Sequence, residues 1–327
     1  SMEDRSLDPQ RILSALSFIP ADLPRDEWVR IGMALHSAGM PFDAFDNWSA
    51  SGGTYNKRGT LSVWRSFKRG SISISSLYRM AMDNGWRGDT DTEIKPPPKR
   101  ELPPEPKRRT IDVHKLAGTL VPATANHPYA LAKGAEPRFM SGLFEVPSGH
   151  SMRIMGERIG GFLAVPAYEG ETLKTFQMIA PPDRAREMKA KGKPSKLNLP
   201  GGFGSAYLML GHPEPEIIYL AEGIGQVWAI LSCFAAVAHI AAPRVAAIVT
   251  FGCGRTETVL REAMMRHLDA IFRIVPDRGQ EEKMRQIAAN YCNVSVFSLP
   301  ESKPANYDAN DYAQEHGMFA LLDCIMP

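Results

Sequence analysis

Cysteine is scarce in this 327-residue chain: Cys233, Cys253, Cys292 and Cys324 stand far apart, with no C-x-x-C pair. None of the histidines completes a zinc-ligand spacing, which argues against a disulfide framework and against bound zinc, and for reduced thiols in a cytoplasmic protein. Long apolar runs are also lacking. The longest, Ala229 to Ala242, is too short and too interrupted to span a bilayer, and the N-terminus has no basic-then-apolar signal, so no membrane partner is expected. No G-x-x-x-x-G-K-[ST] loop is present, so the chain by itself is not expected to be an ATP-driven helicase. Charge of one sign does not dominate either, with a formal net charge of only +2. Its local distribution carries more information than its sum.

What is present suits a globular protein of two or three modules, with 44% hydrophobic and 23% charged residues. From Leu7 to Trp86 the pattern is helical. Asp8-Pro9 reads as a cap and first-turn proline before an Ile12, Leu13, Leu16, Ile19 stripe. Further helices are expected at Arg25 to His36, Phe42 to Ser49, Thr60 to Lys68 and Ser75 to Asn84, the last closed by Gly85. Trp28, Trp48, Trp64 and Trp86 all fall here, and core packing is the plain explanation for each. The loop GGTYNKRG at 52–59 and the segment after it carry Lys57, Arg58, Arg65, Lys68 and Arg69. Cations interleaved with aromatics suit a nucleic-acid strand, because the cations meet phosphates and the rings stack on bases.

Residues 89–110 change character. Six prolines fall between Pro96 and Pro106, and the basic excess from Lys95 to Lys115 is +4. This composition predicts an extended, semi-rigid linker, either a plain spacer or one that also holds DNA. Beyond it, His127 to Gly134 reads as a short helix. Gly160 to Tyr168 and Leu173 to Ile179 read as a hairpin around Glu169-Gly170-Glu171. Then a segment from Pro181 to Gly202 carries Arg184, Arg186, Lys189, Lys191, Lys193 and Lys196. It is expected to be a flexible loop that grips triphosphates or a template backbone, a solvated charged loop being the alternative.

From Glu214 onward strands and helices alternate: strands near Ile217 to Leu220, Val245 to Phe251, Ile271 to Val275 and Val294 to Leu299, with helices between. Alternation of this kind implies a parallel sheet with helices on its faces, and functional groups collect beyond the carboxyl ends of such strands. Glu222 and Asp277 fall at two of those ends, and Asp308 and Asp311 follow. Any one of these acids alone is more plausibly a cap or a surface charge. Jointly they suit magnesium or manganese, and two such ions can bridge the attacking and leaving oxygens of a displacement at phosphorus.

On these residues the chain resembles a known family. AEG at 221–223, PD at 276–277 and DANDY at 308–312 look like the Toprim domain shared by bacterial-type primases and topoisomerases. SKLNLPGGFGSAYLMLG at 195–211 and GGFLAVPA at 160–167 are similar to the entrance of the bacterial-type primase core. HPYALAKG resembles the opening of that region in phage and plasmid primases. DEWVRIGMALHSAG, FDNWSASGGTYN, VWRSF and LYRMAMDNGW are similar to the helical primase-associated domain of mobile elements.

The resemblance implies an α/β Toprim-like parallel-sheet core at 214–327 with a mixed α+β subdomain, 111–213, in front of it. A separate small all-α DNA-binding domain at 1–88 is joined by the linker at 89–110. It implies a DNA primase making RNA primers on single-stranded DNA from ribonucleoside triphosphates in mobile-element replication, with a replicative helicase as a possible partner. Glu222 and Asp277 are the catalytic candidates, and Glu222, Asp277, Asp308 and Asp311 the ligands for Mg2+ or Mn2+. Lys193, Lys196 and Asn198 are candidates for nucleotide contact, and Lys57, Arg58, Arg65, Lys68, Arg69, Arg184, Arg186, Lys189 and Lys191 for DNA.

One departure stands out. The family pattern has two aspartates separated by one residue, and here Gly279 occupies the second place, with Asp308, Asp311, Glu281 or Glu282 as the acids able to compensate. Two rivals follow: a catalytically degenerate DNA-binding protein that recruits a helicase or polymerase, and a Toprim nuclease. A type I topoisomerase is disfavoured because the chain has no room for strand-gating domains.

Overall fold

The computed structural model describes residues 5–88, 111–238 and 243–327, so the linker expected at 89–110 lies outside the described residues. The chain divides into two units. The first takes the N-terminal helices together with Leu260–Ala270 and Arg285–Val294, and the second takes the remainder of the described chain from residue 111 onward.

In the first unit, Asp8 caps α1 (Pro9–Leu16) by accepting a hydrogen bond from the Gln10 amide at 3.1 Å. Helix α2 (Arg25–Ser37) buries Trp28, Val29, Ile31, Met33 and Leu35. Gly32 sits where a Cβ would lie 2.8 Å from the Phe45 ring and 2.9 Å from that of Phe67, so only glycine lets α2 come this close. Helices α3 (Phe42–Ala50), α4 (Lys57–Ser66) and α5 (Ile74–Asp83) complete the bundle. Helix α4 starts three residues before the sequence expectation because Asn56 caps it, its side-chain oxygen accepting from the Gly59 amide at 2.8 Å. Lys57 and Arg58 therefore stand on a helix and not in a loop.

Three tryptophans of this unit are core, as the plain reading held. Trp28 donates to Ser49 Oγ at 3.0 Å, Trp48 donates to the Ile19 carbonyl at 2.7 Å, and Trp86 is buried and stacks on Tyr78. Trp64 is only half-buried. The C-terminal segments of this unit are tied in by a bridge between Phe67 and Tyr291, an Arg25–Glu262 ion pair at 3.1 Å and an Arg261–Asp26 ion pair.

The second unit holds two sheets. After α6 (Val113–Ala117), strands β1 (Val121–Pro122) and β2 (Phe144–Glu145) flank α7 (Pro128–Lys133), and β3 (Arg153–Ile154) with β4 (Glu157–Arg158) forms a small hairpin. The expected larger hairpin is present as β5 (Leu163–Glu169) and β6 (Thr172–Ile179). With β7 (Lys196–Asn198) these strands build an antiparallel sheet in the order β1-β2-β5-β6-β7.

The basic segment between β6 and β7 is not the flexible loop expected from its charge. Pro182 to Ala190 form α8, with proline in its first turn, Asp183 beside its N-terminus and Met188 fully buried beneath it. One buried anchor, Met188, helps order a segment of high charge density.

The second sheet comprises β8 (Leu208–Gly211), β9 (Ile217–Ala221), β10 (Val245–Val249), β11 (Ile271–Ile274) and β12 (Val294–Val296), in the order β12-β11-β9-β10-β8. Strand β9 runs parallel to both neighbours, while β8 is antiparallel to β10. The central strands read IIYLA and VAAIV because both sheet faces are covered, which removes the polar alternation of a one-sided sheet. Helices α9 (Ile224–Val237), α10 (Thr256–Arg266) and α11 (Glu281–Ala288) follow in the alternation read from the sequence, and α12 (Ala309–His316) and α13 (Met318–Ile325), which that reading did not include, come after β12. Trp228, Val227 and Ile230 of α9 join Tyr219, Ala247, Leu321 and Ile325 in one core. None of the described helices is long and apolar enough to cross a membrane, and none of the four cysteines is in a disulfide.

Candidate active site

Glu222 is the first residue beyond β9, and its carbonyl accepts from the Phe251 amide at 3.0 Å, which fixes it against the end of β10. Asp277 follows β11, with its own carbonyl accepting from Gln280 at 3.1 Å. Because β9 and β11 are adjacent and parallel, both acids emerge from the same sheet edge, and their carboxyl groups come within hydrogen-bonding reach of each other. They line one small space of about 20 Å³, together with Thr250, Cys253 and Thr256.

Arg278 brings the third acid close. Its amide donates to the Tyr307 carbonyl at 2.8 Å and its guanidinium to the carbonyls of Lys303 and Glu301 at 3.0 and 2.9 Å. The loop before Asp308 is thereby folded down onto the end of β11. Asp308 and Asp311 themselves form a capping box at the start of α12: the Asp311 amide donates to Asp308 Oδ1 at 2.9 Å, and the Asp308 amide to Asp311 Oδ2 at 3.0 Å. Capping was the bland reading of these acids, and it applies to both. Asp308 nonetheless stays close enough to Asp277 to raise its pKa.

Burial first, then the charges of Glu222 and Asp308, push the Asp277 carboxyl up to about 7. One proton on Asp277 lets two adjacent carboxyls share a hydrogen bond where two anions would repel. Lys196 is a nearby counter-charge that interacts with all three acids. Its walls and the neighbouring Lys133 lower its pKa, opposed by Asp308, Glu222 and Asp277. Burial and the two α12 aspartates raise the Tyr129 hydroxyl. A larger cleft of about 440 Å³ joins these groups, lined by Tyr129, Lys133, Lys196, Gly223, Gln226 and Asp308.

Does this set fit a divalent cation? Asp277 Oδ1 is buried with no hydrogen-bond partner, an acceptor that a proton or a cation would satisfy, and the adjoining space exceeds the room one water needs. Yet among the described residues no three His, Cys, Asp or Glu side chains gather closely enough to hold an ion. The residues fit an ion held by Glu222 and Asp277, with its remaining oxygens from water and substrate phosphates, as hard cations accept. Gly279 adds no ligand. Its amide donates to Glu281 Oε2 at 2.8 Å, and Glu281 also pairs with Arg278, so that carboxylate is held by the turn and does not replace a missing aspartate.

Of the basic candidates, Lys196 alone reaches the acids. Lys193 lies 2.8 Å from Glu157, Arg184 3.0 Å and Lys191 3.6 Å, all three folded onto one buried carboxylate. Hydrogen bonds from Lys193 and Arg184 hold Glu157 down to about 2. Arg186 pairs with exposed Asp183, Lys189 is exposed near the end of α8, and Asn198 Oδ1 accepts from Gln177 at 3.2 Å. In the helical unit Arg58, Arg65, Lys68 and Arg69 are exposed, and Lys57 lies 3.9 Å from Asp46.

Sequence reasoning missed three members of the site. Gln226, buried in the first turn of α9, hydrogen-bonds to Asp277, and its spacing of four residues after Glu222 was the available signal. Lys133, the last residue of α7, lies in the HPYALAKG segment, which was read for its helix and its resemblance but not for this side chain. Asn310 is 2% exposed and donates to the carbonyls of Lys133 at 2.8 Å and Gly225 at 2.9 Å, pinning α7, α9 and α12 together around the cleft.

Residues 12–81 match the family model of Primase C terminal 2 (PriCT-2). The match lies within the helical unit and relates that unit to primases. Two solved structures are similar to 52% of this chain. One is the RNA polymerase domain of Mycobacterium tuberculosis primase DnaG, at 16% identity, 56% coverage of that chain and a TM-score of 0.36. The other is the same domain in complex with double-stranded DNA, at 17% identity, 54% coverage and a TM-score of 0.33. The chain thus matches little more than half the length of those solved chains. Comparison with curated proteins returned no match.

Proposed function

We propose that this chain is a DNA primase of the Toprim type, joining ribonucleotides opposite a single-stranded DNA template in the replication of a mobile element. The observation that carries this reading is the convergence of Glu222 and Asp277 at one edge of a parallel sheet, beside Lys196 and an open cleft. The PriCT-2 match of residues 12–81 supports the same class of function.

In this reading Glu222 and Asp277 hold Mg2+ or Mn2+, which supplies charge stabilisation for in-line displacement at the α-phosphorus. Lys196 and Lys133 line the cleft where the anionic triphosphate enters, and the N-terminus of α9 adds its own positive end. Gln226 orients Asp277. Asn310 and the Arg278-bound loop fix the distance between the two sides of the cleft. Domains follow as a helical DNA-binding module, a basic tether, a mixed subdomain and the catalytic sheet, with a helicase, as a separate chain or a further C-terminal part, as partner.

Gly279, and the want of a third converging ligand among the described residues, favour a second reading: a degenerate core that binds DNA without synthesis. A primer-synthesis assay with single-stranded DNA, ribonucleotides and Mn2+ decides between them. Labelled short RNA that disappears in Glu222→Gln and Asp277→Asn supports the primase. Synthesis undiminished in both variants removes the chemistry from this site, and DNA binding without any synthesis by the unaltered chain supports the degenerate core.

A further inference from the structure

The first unit carries a ring cluster that its core does not consume. Trp64 is half-buried on α4, with the half-buried His36 ring 5.0 Å away edge-on and the half-buried Phe42 ring 6.0 Å away. Beneath them fully buried Phe45 stacks on Trp64 at 5.6 Å, so the cluster has a rigid floor. Trp28 and Trp48 are closed off, their indole N–H groups donating to internal acceptors, whereas Tyr55 is exposed with its hydroxyl donating to Asp46. Three rings partly open to water thus share one small surface.

Cations border the cluster at both ends. Lys57, Leu61 and Trp64 are spaced i, i+4, i+7 on α4 and so share one face. At the other end a guanidinium nitrogen of Arg69 lies 3.3 Å from where a Cβ on Gly39 would sit, just past the end of α2, and its charge combines with burial to lower the pKa of His36. Arg65 and Lys68 flank the same stretch of chain. Among the described residues no carboxylate lies within ion-pair distance of Arg65, Lys68 or Arg69. Asp46, the buried acid nearby, is already engaged by the Tyr55 hydroxyl and Lys57. Asp43 is the exposed acid on the α3 side.

Flat rings bordered by cations suit a strand whose bases are free, because phosphates take the cations and each base offers a π-face. Duplex DNA offers the phosphates but keeps its bases stacked on each other. We infer that Trp64, Phe42 and His36 form a base-stacking platform that makes the helical unit selective for single-stranded over double-stranded nucleic acid. This rests on the proposed DNA-binding role of that unit and deepens it: the cations supply attraction, and the rings supply the choice of strand.

Fluorescence anisotropy on the full chain tests it, with a labelled poly-thymidine strand, an abasic strand of equal length and a duplex. The unaltered chain is expected to prefer the thymidine strand over both others. Trp64→Ala and Phe42→Ala should each weaken thymidine binding roughly ten-fold while leaving abasic and duplex affinities within about two-fold, and Trp64→Phe should restore most of the loss. Retained duplex affinity also shows that the variants fold. Equal weakening on all three probes, or no weakening on any, overturns the platform. If the unaltered chain binds none of the probes, the DNA-binding reading of the unit falls together with it, whereas binding with no ring dependence removes this inference alone.

Discussion

Two groups of cations that look alike in the sequence end in opposite states. In the second unit Arg184, Lys191 and Lys193 close around Glu157, a single buried carboxylate on the β3–β4 hairpin. In the helical unit Arg65, Lys68 and Arg69 face no carboxylate at ion-pair distance among the described residues, and they follow the half-buried Trp64 in the chain. The first group is anchored to the fold by that carboxylate, which answers part of its charge. The second keeps its charge available to a ligand. What separates them is one acidic residue, Glu157, some thirty positions from the cations it binds, so local charge counting cannot distinguish a grip from a brace. The acid pair at Glu222 and Asp277 is a third case with the signs exchanged: burial, and then the charges of Glu222 and Asp308, push Asp277 up to about 7.

Each side of this contrast can be broken separately. The largest effect is expected from removing the floor of the ring cluster. Phe45→Ala should cost about 3–5 kcal/mol through lost burial and the cavity left behind, read as a lower denaturant midpoint for the helical unit. Next comes Asp277→Asn. A carboxyl whose folded pKa lies above its unfolded value loses stability as pH rises from about 4 through about 7, and the penalty stays constant above that. The asparagine variant should therefore melt higher than the unaltered chain at pH 8, by on the order of 2 kcal/mol after allowance for its open side, and no higher at pH 4. Equal melting at both values would mean that Glu222 and Asp308 do not crowd it.

Glu157 gives the reverse dependence. Its folded pKa lies below its unfolded value, so its contribution is present above about 4.5 and is lost as pH falls towards about 2. Glu157→Gln should lower the melting temperature by a few degrees at pH 7 and flatten the acid limb of the stability curve. Smallest is the contrast between single cations. Arg69→Ala should weaken DNA binding several-fold and reduce the salt slope by about one, whereas Lys193→Ala should leave DNA affinity unchanged. Equal loss in both would erase the distinction between paired and free cations.

Much of the architecture was legible in the sequence. The β-α alternation after Glu214, the hairpin around Gly170 and the helices of the first unit follow from period and punctuation, which act over a few residues. Strand adjacency then brought Glu222 and Asp277 together, as parallel pairing of the segments required. What was not legible depends on distant partners. The run from Pro181 to Lys196 has the composition of a loop, yet buried Met188 and the reach to Glu157 order it. Asp308 and Asp311 looked like ligands, but their spacing of three also defines a capping box, and composition cannot choose between the two. Lys133 and Asn310 lie inside the HPYALAKG and DANDY segments and Gln226 in none, and only the meeting of α7, α9 and α12 shows that the three share a site.

The central claim is that Glu222 and Asp277 together bind one divalent cation. Calorimetric titration of Mn2+ into the full chain, in buffers of different ionisation heat at pH 6.5 and pH 8, measures it directly. Binding should release a proton at pH 6.5, because Asp277 is largely protonated there, and release little at pH 8, with tighter apparent affinity at the higher pH and loss of binding in both Glu222→Gln and Asp277→Asn. Mn2+ binding of equal strength in all three proteins, or none in the unaltered chain, would contradict it.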